Sequence, residues 1–395
     1  MKKTSSKLEE IINCIKRDFS CKEGNSLMGG KTGLALLLSY YASVTNDEKA
    51  SQQSADVLKM IEDSLEFENQ YTFCMGIAGI GWYYQFMNDM GIFDNDTNFL
   101  LEDFDQLSNK VMELFLQCSE TDFLHGATGI AYYFYCRYKD NNNVNVFLQK
   151  YVDEIDRLVV VDGNLIKLPT KDFKTHETIF NISLSHGMSA VVSVLARIYT
   201  IEALRSEKLK QLIEGMANYI LAQEIDVEKY GSFFPYTSIE SSKPLTGSRL
   251  AWCYGDLGVC CALYQVGKIM NRQDWIDEAL KVLIYAAKNR RDLNQNFVLD
   301  ACLCHGAVSI AHIFYRMWWN THIDEFKDAA DYWFDKTLDM ASFEDGLVGY
   351  KTWIGSKDGY EPISGLLEGT VGIGLALTSY TYEIEPTWDQ CLLLS

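Results

Sequence analysis

The sequence predicts an all-α protein, an α/α toroid of seven helical hairpins, and three observations carry that expectation. A small-residue turn, G-x-x-G or a near version, recurs seven times, each time followed by an apolar run of helical length. The segments between the turns place apolar residues at helical spacing with charges among them. Prolines number only 5 in 395 residues, against roughly 5% in an average chain, and long helices are the structures that exclude proline.

The turns open GKTGLALLLSYYA at Gly30, GIAGIGWYYQFM at Gly76, GATGIAYYFYCR at Gly126 and GMSAVVSVLARI at Gly187. GDLGVCCALYQV at Gly255, GAVSIAHIFYRM at Gly306 and GTVGIGLALTSY at Gly369 complete the set. The shortest step runs from 30 to 76 and the longest from 187 to 255, each long enough for two helices and their loops. The helix after each turn is apolar nearly all round, so it is expected inside. The spacers read as amphipathic outer helices. In 206–224 Leu209, Leu212, Ile213, Met216 and Ile220 share one face, and in 275–289 Ile276, Leu280 and Leu283 do. Outer helix followed by inner helix, seven times, gives two concentric rings and one domain over 1–395. Closure of such an array removes the need for polar caps. Small residues at the turns let the inner helices start close together. The free N–H groups at those starts favour an anion at that end.

Three spacers carry extra loop: 159–181, 229–249 and 345–365. Each lies shortly before a turn, so all three are expected at the same end, with Phe233, Phe234, Tyr236, Trp353 and Tyr360 as candidate binding aromatics or mere loop padding. Lys and Arg number 35 against 54 Asp and Glu, a net charge of −19. That field repels phosphate backbones and anionic membrane surfaces, so nucleic acid is excluded as partner. The N-terminus has no apolar signal core, and no apolar stretch reaches membrane-spanning length. The 11 cysteines show no disulfide spacing, which predicts a reduced, cytoplasmic protein. GGKTG at 29–33 imitates a phosphate loop but has Asn25 where the first glycine belongs, so nucleotide binding there is rejected.

Aligning the repeats on their first glycine exposes the chemistry. The residue before it is Gly29, Met75, His125, His186, Tyr254, His305 and Glu368; the one before that is Met28, Cys74, Leu124, Ser185, Cys253, Cys304 and Leu367. In a closed toroid this register converges. Cys253, Cys304 and His305 are two thiolates and an imidazole, a set that suits Zn²⁺ with an open fourth position. Buried free thiols have the same spacing, and the residues alone leave both readings open. Cys74 shares the register; as a fourth ligand it would close the site, and it reads instead as a buried thiol. His186 is either a general acid or base or a local hydrogen-bonding group. Asp122 is either its partner or a helix-capping group. His125, His176 and His312 have no comparable support, and His312 reads as packed in its helix.

Taken together, SRLAWCYGDLG (248–258), CHGAVSIAH (304–312), SHG (185–187) and DFLHGATG (122–129) resemble the lanthionine synthetase C-like family, the cyclases of lanthipeptide biosynthesis. The resemblance runs through all seven repeats. It implies one zinc per chain on Cys253, Cys304 and His305, with His186 as acid/base residue and Asp122 beside it. It also implies an active-site Arg249 and Tyr254. The implied reaction adds cysteine thiolates of a dehydrated precursor peptide to dehydroalanine or dehydrobutyrine. No kinase-like or dehydratase-like segment is present, so a separate dehydratase, and with it an export transporter, are the expected partners. The fourth and sixth turns, GMSA and GAVS, depart from G-x-x-G but stay small. Relatives that add glutathione to dehydroamino acids tend to read W-C-H-G where this chain has Trp252-Cys253-Tyr254-Gly255. Besides that alternative, a non-catalytic zinc-bound peptide scaffold remains. So does an α/α-barrel glycosidase, for which Glu368 and Asp122 are the available carboxylates and which leaves the Cys-Cys-His set unexplained.

Overall fold

The computed structural model describes residues 2–18, 24–65, 68–93, 97–172, 175–241, 244–355, 357 and 359–395. Its helices are α1 (Lys2–Asp18), α2 (Lys31–Thr45), α3 (Glu48–Glu62), α4 (Ile77–Asp89), α5 (Asn98–Gln117), α6 (Ala127–Arg137) and α7 (Asn145–Leu158). There follow α8 (Met188–Tyr199), α9 (Glu207–Leu221), the short α10 (Val227–Tyr230), α11 (Asp256–Met270), α12 (Gln273–Asn289), α13 (Ala307–Thr321), α14 (Asp324–Asp339) and α15 (Thr370–Thr381). The strands form three antiparallel ribbons: β1 (Val160–Asp162) with β2 (Leu165–Lys167), β3 (Thr170–Lys171) with β4 (Thr178–Ile179), and β5 (Thr352–Gly355) with β6 (Gly359–Glu361). Among the described residues no helix is long and apolar enough to cross a membrane.

The seven helices expected inside are α2, α4, α6, α8, α11, α13 and α15. Each is capped by the first glycine of its turn. In α2 every residue from Lys31 to Ala42 is buried, so no solvent face exists. The outer helices bury one stripe. In α9 it contains Leu209, Leu212, Ile213, Met216 and Ile220, as the spacing predicts. In α12 the stripe is turned by about one residue. Trp275, Ala279, Val282, Leu283 and Ala286 are buried, while Ile276 and Leu280 lie at its edge.

The hairpins are phased differently from the expectation. Most inner helices pack on the outer helix that follows them, α2 on α3, α4 on α5, α8 on α9, α11 on α12 and α13 on α14, while α6 packs on α5 before it as well as on α7 after it. Helix α1 therefore serves the far end of the chain, packing on α15. A belt of backbone bonds runs through the residues two before each first glycine. Met28 N–H donates to Cys74 O (3.2 Å), Cys74 to Leu124 (2.9 Å), Ser185 to Cys253 (3.3 Å), Cys253 to Cys304 (3.4 Å), Cys304 to Leu367 (2.8 Å) and Leu367 back to Met28 (2.9 Å). Helix α6 contacts α8 across the remaining step. The second glycine of a turn serves this closeness. A Cβ on Gly129 would lie 2.0 Å from Phe123 O of its own loop and 2.5 Å from Phe73 Cβ of the preceding repeat.

The last residues are buried among the inner helices. Asp389 accepts from Arg316 Nε at 2.8 Å and lies 2.9 Å from His312 Nε2, both on α13. Tyr132 of α6 donates to Gln390 O (2.8 Å), and the Trp252 indole to Leu392 O (2.9 Å). His312 is thus a core histidine, as expected. Of the three long spacers, 159–181 packs its β1–β2 ribbon on outer helix α9, where Ile166 fills the space a side chain on Gly215 would need, while its later residues Thr170, Ile179 and Asn181 line a cleft with Asp122 and His186.

Candidate metal centre and active site

Cys253 immediately precedes the turn into α11, and Cys304 and His305 the turn into α13. Their segments are neighbours in the belt, and side chains reinforce the pairing. Trp252 N–H donates to Ser309 Oγ at 2.9 Å. The buried pair Asp256–Arg290 (2.7 Å) anchors what surrounds them. Asp256 accepts from the N–H groups of Phe233 (3.1 Å) and Phe234 (2.8 Å), and Arg290 donates to Asn296 Oδ1 (2.9 Å) and Ser248 O (3.0 Å).

The outcome is that the ligand atoms of Cys253, Cys304 and His305 all lie within 4.8 Å of one another. Tetrahedral zinc with bonds of about 2.0–2.3 Å needs such a spacing closed only slightly. The Cys304 thiol beside it lowers the Cys253 pKa to about 6. Burial opposes this, and His305, Arg249 and His186 assist it. The Cys304 thiol is pushed well up by the Cys253 sulfur and by burial. Two sulfurs beside an imidazole are a donor set that accepts a divalent cation readily. Asp300, Cys302 and His305 form a second close group. There the carboxylate is already taken, accepting from Cys302 N–H (2.9 Å) and Trp353 N–H (2.9 Å), and burial holds the Cys302 thiol far above its ordinary pKa. The first set is the better metal site.

Cys74 stays apart. Its belt neighbours are Met28 and Leu124, and among the described residues it joins no metal-range group. Burial pushes its thiol up to about 12.

His186 and Asp122 do meet. Asp122 Oδ2 lies 2.6 Å from His186 Nδ1, and its Oδ1 accepts from His125 N–H at 2.7 Å. Burial disfavours the charged ring, but the hydrogen bond to Asp122, that residue's charge and the Cys253 sulfur outweigh it and raise the His186 pKa. The His125 ring lies parallel to that of His186 at 6.1 Å, a proximity that the register alone hinted at. Tyr254 sits 6.0 Å from His186 and stacks on Tyr236 at 4.2 Å. Burial keeps the Tyr254 hydroxyl protonated well beyond neutral pH. Ser185 joins the two centres, its N–H and hydroxyl both meeting Cys253 O (3.3 and 3.1 Å). A cleft of about 600 Å³ opens beside them, lined by Asp122, Asn181, His186, Tyr236 and Tyr254 among others.

Arg249 is half-buried, and its charge acts on Cys253, His305 and Tyr236. Glu368 is exposed at the rim. Phe233 and Phe234 are buried, which decides for loop padding between the two readings the sequence left open: Asp256 draws their backbone inward. Tyr236 and Tyr360 remain exposed. Sequence reasoning missed Asp256, Arg290, Asp300 and Ser309. Only Ser309 left a trace, as the residue that breaks G-x-x-G in the sixth turn.

The family model of the lanthionine synthetase C-like protein matches residues 22–393. The chain belongs to the lanthionine synthetase C-like family. Nisin biosynthesis protein NisC of Lactococcus lactis subsp. lactis is 23% identical to this family member over 236 residues, 54% of this chain and 48% of NisC. The aligned stretch thus spans about half of that relative. The solved structure of nisin cyclase matches with a TM-score of 0.78 at 18% identity, covering 100% of this chain and 98% of that one. This lanthionine synthetase C-like protein therefore shares the fold of nisin cyclase.

Proposed function

We propose that this protein is a zinc-dependent lanthipeptide cyclase, an α/α toroid of seven hairpins forming one domain over 1–395. The observation that carries the reading is the convergence of Cys253, Cys304 and His305, three donors that leave a fourth position open, beside the His186–Asp122 pair. A zinc ion bound by those three residues supplies the acidity that keeps a substrate cysteine deprotonated at neutral pH.

The protein's own residues do the rest. The cleft beside His186 receives the dehydrated stretch of the precursor peptide. The cysteine sulfur forms a bond to the β-carbon of dehydroalanine or dehydrobutyrine, and the double bond's electrons move toward the adjacent carbonyl oxygen. Arg249 stabilises that enolate charge. His186, kept cationic by Asp122, delivers the proton to the α-carbon. Tyr254, a hydroxyl that stays protonated, assists as a hydrogen-bond donor. The thiol proton leaves to solvent when the sulfur is deprotonated and His186 regains one from solvent after protonating carbon, so no net proton is consumed and a thioether ring results. The hydrogen-bonded His186–Asp122 pair speaks against a mere scaffold. The thiols of Cys253, Cys260, Cys261, Cys302, Cys304 and Cys391, none of them joined in a disulfide, fit a reducing cytoplasm, with a separate dehydratase and an export transporter as partners.

A synthetic peptide with one dehydroalanine and one cysteine tests the reading. Enzyme-dependent loss of its alkylatable thiol supports cyclisation. Loss of thiol only when glutathione is added, with the adduct's mass, replaces cyclisation by glutathione addition.

A further inference from the structure

We propose that Asp300 is the positioning residue of the metal centre. Its carboxylate, locked by two backbone donors, holds the His305 ring with the proton on Nε2 and leaves Nδ1 as the ligating nitrogen. The inference rests on the zinc reading above.

Asp300 is itself almost fully buried, at 3% exposure. Oδ1 accepts from Cys302 N–H and Oδ2 from Trp353 N–H, both at 2.9 Å, so its orientation is set from two different segments. The turn is shaped around it, since a Cβ on Gly306 would lie 2.4 Å from Oδ1. Trp353 belongs to the β5–β6 ribbon, which is pinned to the same segment by Tyr360 Oη donating to Leu299 O at 3.1 Å. The carboxylate is therefore a fixed part of the protein.

His305 Nε2 faces it at 3.4 Å. That nitrogen is buried and, among the described residues, has no hydrogen-bond partner at ordinary distance. An N–H···O contact of this length is longer than a settled hydrogen bond. A small ring rotation closes it, and only a ring with its proton on Nε2 benefits. The lone pair of the neutral ring is then on Nδ1. A carboxylate behind a ligating imidazole fixes tautomer and orientation and raises the ligand's basicity.

The test compares the full-length native chain with Asp300→Asn, which keeps the shape but offers an amide where the carboxylate oxygens stood. Zinc affinity is read by competition with a chromophoric chelator. The expected result is one zinc per native chain and a 10–100-fold weaker affinity in the variant, together with a lower melting temperature of the zinc-stripped variant, because one of the two backbone donors loses its acceptor. Equal affinity overturns the proposal and leaves the zinc reading intact. A native chain that binds no zinc overturns both. A second measurement stands even if the variant does not fold. In ¹⁵N-histidine-labelled native protein loaded with zinc, His305 is expected to show Nε2–H with Nδ1 bound to metal. Metal on Nε2 overturns the proposal.

Discussion

The backbone N–H of Leu367 donates to the carbonyl oxygen of Met28 at 2.9 Å, joining the seventh repeat to the first. The same junction is covered from outside by α1, whose Leu8, Ile11 and Ile12 are all buried. Ile11 reaches the space above Gly374 of α15. Ile11→Ala is expected to cost about 2–5 kcal/mol, the range for emptying such a site. Urea unfolding checks it. A change under about 0.5 kcal/mol, the level of surface substitutions, contradicts the role of α1 as the closing helix.

Cys304→Ala is expected to lose zinc, and Cys74→Ser to keep it, because only the first belongs to the close donor group. Metal analysis of the purified proteins decides. Zinc loss in Cys74→Ser would mean four protein ligands and no open position for a substrate thiol.

His186→Ala is expected to retain zinc and lose ring formation. Asp122→Asn removes the carboxylate that most raises the His186 pKa and leaves burial, which lowers it, opposed only by the Cys253 sulfur. The protonated ring then survives only to lower pH, so the alkaline limb of the rate profile shifts to lower pH. An unshifted limb would assign the proton transfer to another group. The linkage to stability has a definite sign. His186 has a raised folded-state pKa. Its contribution is complete below the unfolded value of about 6.5 and is lost as pH rises through the folded value. The stability gap between the native chain and His186→Gln should accordingly narrow with rising pH.

Asp256→Ala leaves Arg290 buried without its carboxylate and frees the Phe233 and Phe234 N–H groups. Breaking a buried pair from one side typically costs about 3–5 kcal/mol, and loosening of Ser248–Cys253 should weaken zinc binding as well. Denaturant midpoint and zinc content are to be measured together. A variant of native stability and zinc content would show that the pair anchors nothing.

Ser309→Ala deletes the acceptor of the Trp252 N–H. A buried donor left unsatisfied costs about 1–3 kcal/mol. A melting temperature equal to that of the native chain would mean the serine merely fills a glycine's place.

Much of the fold is legible in the sequence because its signals are local. A glycine turn followed by an all-apolar run specifies a buried helix wherever it occurs, and seven copies specify seven such helices. Alternating charge and apolar spacing specifies the outer ones, although in α12 the buried face holds Trp275 and its alanines and is turned by about one residue. Spacing could not reveal that α1 belongs with α15, since nothing local distinguishes a helix that precedes its partner from one that follows another.

The candidate site divides the same way. The register alone assembled Met28, Cys74, Leu124, Ser185, Cys253, Cys304 and Leu367 as equivalent positions, and they do form one belt. Equivalence in register says nothing about neighbourhood, however. Cys253 and Cys304 are adjacent in the belt while Cys74 is separated from both, so two of three equivalent cysteines share a donor group. The sequence by itself determined the helices, the turns and the residue types available at each turn, because these follow from backbone and hydrophobic rules within one repeat. Only the tertiary structure decided which of those residues meet, that Asp300 stands behind His305, and that His186 holds Asp122. His186–Asp122 and Cys253–Cys304 join successive repeats that lie far apart in the chain, and Asp300, though close to His305 in sequence, is oriented by Trp353 of the β5–β6 ribbon, so this geometry exists only once separate segments have packed.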